Sequence, residues 1–280
     1  MSCIIYEKTD EVIRISFNRP EKLNAVNDDL LKEFDSALKE AEGDDTVTAV
    51  VIKGSGTSFC AGYDIGGKGT SETGFDFRSS GDVAELMEQQ WRRQKSIFNL
   101  ARFPKSTIAH VQGYCLEIGC SFAMACDISF ADEKAKFGDP SVRMGLTTDM
   151  PLWYHLVTHR KAKELLFTGK IIDGIEAERI GIITKAVPAD QLDQEVNEMA
   201  LTVSLTPFDG LTNNLEGYKT GTDARSLAAG WRSSADKRAF GILQRPGTRS
   251  GEFNFLDVRD KKGLKAALAE MNAPYKKLGY

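Results

Sequence analysis

The chain has 280 residues, long enough for one large core or two domains, and is 41% hydrophobic and 27% charged, the balance of a soluble globular protein. Its formal net charge of −4 is too mild to point to nucleic acid or an anionic membrane as partner. No apolar run reaches the roughly 18 residues that a membrane-crossing helix needs, and no basic start followed by an apolar run marks a secretory leader.

Taken in chain order, Val12–Phe17 alternates apolar and polar residues and predicts a strand. Asn18–Ala25 is a polar loop, and Asn27 or Asp28 can cap a helix whose Leu30, Leu31, Phe34, Ala37, Leu38 and Ala41 recur at helical spacing. The β-branched run Thr48–Lys53 predicts a buried strand leading into the turn-rich segment Gly54–Asp64. Gly66–Ser80, rich in Gly, Ser and Thr, predicts a mobile loop. A long helix follows with Val83, Leu86, Met87, Trp91, Ile97, Phe98 and Ala101 on one face, ending before Pro104. The order then repeats, with a strand at Thr107–Val111, a Gly-containing turn, a helix near Cys120–Cys126 and a strand at Ile128–Ala131. One helix is expected over Leu152–Phe167 and a short strand over Ile182–Val187. From Leu192 the pattern is almost wholly helical, ending in Lys261–Met271. This is an α/β core, residues 1–195, followed by a helical C-terminal region, residues 196–280. The five cysteines, Cys3, Cys60, Cys115, Cys120 and Cys126, mostly sit in apolar runs without a CxxC pair, and read as reduced thiols of a cytoplasmic protein.

Two Gly-containing turns carry the chemistry. Ala61-Gly-Tyr-Asp64 follows a strand, and Glu117-Ile-Gly119 precedes a helix, whose first N–H groups lack intrahelical partners and lie at the positive end of the dipole. Two such turns facing each other would hold a thioester oxygen and stabilise an enolate, as an oxyanion hole does, while ordinary loop glycines are the alternative reading of each turn.

With these turns, the segments Asn18–Ala25, Phe59–Asp64, Val111–Tyr114, Ala125–Asp127, Phe137-Gly138, Ala162–Leu165 and Lys170–Gly181 resemble, in order, those of the enoyl-CoA hydratase/isomerase, or crotonase, superfamily. The resemblance runs from about Ile5 to about Lys276. It implies a spiral of repeated strand–strand–helix units with a helical C-terminal trimerisation region, a homotrimer or hexamer, and an acyl-CoA substrate. Coenzyme A then belongs to the substrate and no separate cofactor is needed. The resemblance assigns the oxyanion hole to the N–H groups of Tyr63 and Ile118. It assigns the adenine and pantetheine to the region of Lys22, Leu23, Ala25, Ala61, Asp64 and Ile65, with a basic residue such as Lys261 or Lys276 reaching the phosphates. Glu117 and Ile118 depart from the family's usual pair of glycines, and Glu117 reads either as a buried structural carboxylate or as a catalytic one.

The two glutamates that activate water in the family's hydratases fall at Ser121 and Ser141, and a hydroxyl does not serve as a general base unaided. The remaining candidate acid/base is Asp149, four residues past Gly145, at a place where dienoyl-CoA isomerases and chlorobenzoyl-CoA dehalogenases resemble this chain in carrying an aspartate. Burial near Met150 and Trp153 would raise its pKa, with Ser121 assisting, and a helix cap ahead of Leu152 is the alternative. Asp139 reads as a turn residue before Pro140 or a second acid/base. Glu88, Trp91 and Trp153 read as pocket wall, or as a solvated face for Glu88 and core for the tryptophans. His155 and His159, at i,i+4, suit a metal only with a third ligand, which the sequence does not suggest, so no metal is expected. Hydration or isomerisation of an unsaturated, bulky or alicyclic acyl-CoA is the leading expectation. Ring opening of a cyclic β-ketoacyl-CoA by hydrolysis and a silent CoA-binding subunit are the alternatives.

Overall fold

The computed structural model describes residues 2–66, 83–148, 151–243 and 253–279. The expected loop beyond Gly66, and Asp149 with Met150, lie outside the described residues. In chain order the elements are β1 (Ile4–Thr9), β2 (Val12–Phe17), α1 (Asp28–Glu42), β3 (Ala49–Gly54), α2 (Val83–Ala101), β4 (Ser106–Val111), β5 (Tyr114–Leu116), α3 (Ile118–Ala125), β6 (Ile128–Asp132) and β7 (Lys136–Gly138). They continue with α4 (Leu152–Leu156), α5 (His159–Thr168), α6 (Gly174–Arg179), β8 (Lys185–Val187), α7 (Leu192–Ser204), α8 (Phe208–Ala224), α9 (Leu227–Leu243), α10 (Phe255–Lys262) and α11 (Leu264–Lys276).

The main sheet has the order β1-β2-β3-β4-β6-β8, and β5 pairs with β7 in a second small sheet. Among the described strands β1 pairs with β2 antiparallel and the other strand pairs are parallel, so β2, β3 and β4 release their following loops at one edge of the sheet. That shared edge brings together turns far apart in sequence. β1 escaped the sequence reading because only Ile4 of its six residues is buried, which leaves an edge strand without an alternating pattern.

α1 starts where the sequence places it. Asn27 accepts the Leu30 N–H at 2.9 Å, and all six predicted apolar positions of the helix are buried. Asn27→Ala removes that cap and is expected to cost about 1 kcal/mol. A chemical-denaturation midpoint unchanged by the substitution would contradict it. Phe17, Phe34, Phe59 and Phe122 meet with ring centroids 4.9–5.8 Å apart, joining β2, α1, the turn before Cys60 and α3 in one core. On the sheet's other side, Leu192, Val196 and Ala200 of α7 pack on Val51, Ile108, Phe130 and Val187. α7 therefore runs across the expected division at residue 195.

The single helix expected over Leu152–Phe167 is two, because Val157 and Thr158 are extended. His155 and His159 lie on different helices, and their i,i+4 relation on one face is lost. In the C-terminal region α9 packs along α2, with Trp231 edge-on to Phe98 at 5.4 Å. α10 and α11 bury Phe255, Ala267 and Met271 against Leu86, Met144 and Leu146. Among the described residues no helix is long and apolar enough to cross a membrane.

Candidate active site

The loops after β2 and β3 are laced together. The Ala61 N–H donates to Leu23 O at 3.0 Å, Val26 N–H to Gly62 O at 2.8 Å, and Asp64 N–H to Val26 O at 2.8 Å. Buried Asn24 donates to Ser55 O and Ser58 O at 2.8 and 2.7 Å. Arg19 donates to Ala25 O and pairs with buried Asp64 at 2.8 Å. Lys22, Leu23 and Ala25 are thus brought beside Ala61, Asp64 and Ile65, the residues expected to hold coenzyme A. The Asp64 carboxylate is already committed to Arg19. Lys22 and Leu23 are exposed, while the Ile65 carbonyl accepts from buried Arg259 of α10 at 3.3 Å.

The second turn lies against the first. The Cys60 N–H donates to Tyr114 O at 2.8 Å and Leu116 N–H to Cys60 O at 2.9 Å, so the chain entering Tyr63 and the chain entering α3 run side by side. The contact is close enough to demand glycine at position 119, where a Cβ would lie 2.4 Å from Cys60 O. Ile118 is the first residue of α3, whose N–H has no acceptor within the helix.

Glu117 spans the gap between the turns. Its Oε2 accepts the Tyr63 N–H at 3.0 Å, and its Oε1 accepts from Arg238 of α9 at 2.6 Å. Arg238 is almost wholly buried, also donates to Thr147 O at 3.1 Å, and lies over the Tyr63 ring at 5.0 Å. Burial pushes the Glu117 carboxyl above its ordinary pKa; the Arg238 charge and the Tyr63 N–H oppose that, and nearby Asp139 reinforces it. The backbone of Glu117 has φ 52° and ψ −118°, a conformation that suits glycine and costs another residue about 1–3 kcal/mol. Although Glu117 is the N-cap of α3, its side chain makes no capping bond.

The two serines are turned inward. The Ser141 hydroxyl and N–H both donate to Asp139, which is buried and caps the 3-10 turn Pro140–Met144. The Ser121 hydroxyl is buried and donates to Glu117 O at 3.4 Å. The Cys60 thiol beside Glu117 is pushed up to about 12 by burial and stays protonated. Glu117, Ser121, Asp139 and Ser141 therefore share one small region with Tyr63 and Ile118. Trp153 is fully buried in the main core, and Trp91 packs partly buried against it, 6.1 Å from Phe98. Glu88 lies on an exposed face and pairs with Arg92 at 3.3 Å. His110 sits on β4 between Gln112 and Asp193 at 3.0 and 2.8 Å. Sequence reading missed Arg238, because a helical tail without a strong apolar stripe gives no sign that one of its arginines is buried 121 residues from its partner.

The enoyl-CoA hydratase/isomerase family profile matches residues 7–235. A probable enoyl-CoA hydratase of Rhizobium meliloti is 31% identical over 283 aligned positions, covering 98% of this chain and 97% of that protein. A short-chain-enoyl-CoA hydratase of Clostridium acetobutylicum is 37% identical over 201, covering 70% and 73%. Among solved structures, an enoyl-CoA hydratase/isomerase from Xanthobacter autotrophicus superposes with a TM-score of 0.86 at 28% identity, covering 98% of both chains.

Proposed function

The chain belongs to the enoyl-CoA hydratase/isomerase (crotonase) superfamily, and from that premise we propose that it binds an unsaturated acyl-CoA and works through an enolate held by the N–H groups of Tyr63 and Ile118. One observation carries the proposal: the Tyr63 N–H already holds a carboxylate oxygen at 3.0 Å beside the N-terminus of α3, so the site accommodates an oxygen of the kind an enolate presents. The laced loops of Lys22, Leu23, Ala25, Ala61, Asp64 and Ile65 supply the coenzyme A side. Asp149 carries a proton to or from the acyl chain, with Ser121 or a bound water assisting. Ser121 and Ser141 do not replace a pair of glutamates as bases, which disfavours ordinary two-glutamate hydration. We place in the same proposal a homotrimer or hexamer, in keeping with exposed Leu201, Leu205, Phe208 and Tyr218 along α7 and α8.

Incubation with linear, dienoyl and alicyclic acyl-CoAs in deuterated water, read by mass spectrometry, tests it. Water gain with an intact chain or ring means hydration, deuterium gain alone means isomerisation, and water gain with a new carboxylate means ring-opening hydrolysis. Asp149→Asn is expected to lower turnover by about 100-fold or more while thioester binding persists; unaltered turnover would remove Asp149 from the mechanism. A silent CoA-binding subunit is the second reading, favoured by the fact that Glu117 occupies the Tyr63 N–H. Binding of every thioester with turnover of none would establish it.

A further inference from the structure

We infer that Glu117 is a catalytic acid/base of this site: its carboxylate holds the Tyr63 N–H in the free enzyme, yields that donor to the thioester oxygen, and then carries the substrate's α-proton. The inference rests on the proposed function.

Oε2 of Glu117 is 3.0 Å from the nitrogen that the thioester oxygen would take as donor. An enolate oxygen and its α-carbon are two bonds apart, so a carboxylate displaced from that nitrogen by one atom's width lies against the α-carbon. Arg238 keeps it there: the ion pair at 2.6 Å anchors Oε1, while the guanidinium is held by Thr147 O.

A side chain is retained at a strained, glycine-like backbone conformation, and it does not cap its helix. Among the described residues its side-chain bonds go to the Tyr63 N–H and to Arg238. Among the described groups that face it, Arg238 is a permanent cation, Cys60 stays protonated, and Asp139 accepts from Ser141. Burial raises the carboxyl's proton affinity, which suits it to take a proton from carbon.

The step balances without another reactant. The Cα–H bond breaks, its proton moves to Glu117, and its electron pair forms the enolate double bond as the carbonyl π pair moves to oxygen, where the N–H groups of Tyr63 and Ile118 hold it. Replacement of the proton on Glu117 by a deuteron from the solvent, followed by its delivery to the same carbon, puts deuterium at the α-position.

Exchange of the α-hydrogens of butanoyl-CoA in deuterated water isolates this step, because a saturated chain has no double bond to hydrate or shift. Glu117→Gln is expected to lower exchange about 100-fold or more and to abolish the acidic limb of its pH profile, while the dissociation constant of the thioester stays equal or falls. Glu117→Gly, which relieves the backbone strain and empties the hole, is expected to bind more tightly and still exchange slowly. Faster exchange in Glu117→Gly, or an unchanged rate and pH profile in Glu117→Gln, would show a mere plug and overturn the inference alone. A wild-type protein that binds no thioester would overturn the proposed function first, and one that binds but exchanges nothing would overturn both.

Discussion

Gly119→Ala is expected to destabilise the protein by about 3 kcal/mol and to abolish thioester binding. The added methyl would stand 2.4 Å from Cys60 O, 3.0 Å from Cys60 Cβ and 3.2 Å from the Cys60 carbonyl carbon. None of these atoms is the free end of a flexible side chain. Relief requires the strand entering Tyr63 to move away from α3, which breaks the Leu116 N–H to Cys60 O bond and separates the Tyr63 and Ile118 N–H groups. At roughly 2–4 °C per kcal/mol for a chain of this size class, the melting temperature should fall roughly 6–12 °C. Gly217→Ala, in the middle of α8 where a Cβ meets nothing within 4 Å, is the matched control and is expected to stabilise slightly. Equal melting of the two variants, with thioester binding intact in Gly119→Ala, would contradict the close approach of the turns.

Arg238→Met is expected to cost about 3–5 kcal/mol at neutral pH, because it leaves the buried Glu117 carboxylate without its cation. The pH dependence has a definite sign. Burial already holds the Glu117 carboxyl above its ordinary value of about 4.3, so the folded chain binds this proton more tightly than the unfolded chain does. The stability linked to this group is fully present below the ordinary value and is lost as pH rises through the folded one. Arg238 is the strongest influence lowering that folded value. Removing it lifts the value further and extends the loss to higher pH. Denaturation of Arg238→Met should therefore show a large deficit at pH 8 that shrinks toward pH 5. The double variant Glu117→Gln with Arg238→Met removes both charges and should lose less, with little pH dependence. A deficit in Arg238→Met that is the same at both pH values would mean that lost packing, not an uncompensated charge, accounts for it.

Much of the fold was legible because its signals are local. The apolar spacing of α1, the β-branched run of β3 and the alternation of β2 each follow from burying one face of a short element. What local patterning carried less well was the edge strand β1, with one buried residue, and the interruption between α4 and α5. Residues 157 and 158 there take extended conformations that neither glycine nor proline announces.

The candidate site divides the same way. Glycines at 62 and 119, a helix expected just after Gly119, and a charged residue at 117 are properties of consecutive residues, and the sequence by itself determined that two Gly-containing turns stand there and that Glu117 lies in the second. It also determined that serines stand at 121 and 141. The tertiary structure alone decided where those groups point: Ser141 toward Asp139, Ser121 toward the Glu117 carbonyl, and Glu117 across the gap to the Tyr63 N–H. It alone brought Arg238 from the helical tail into that gap, by packing α9 along α2. A buried charge is stabilised by whichever opposite charge and hydrogen-bond donors the packing places beside it. That pairing depends on contacts between residues 121 positions apart, and no pattern within one helix or turn encodes it.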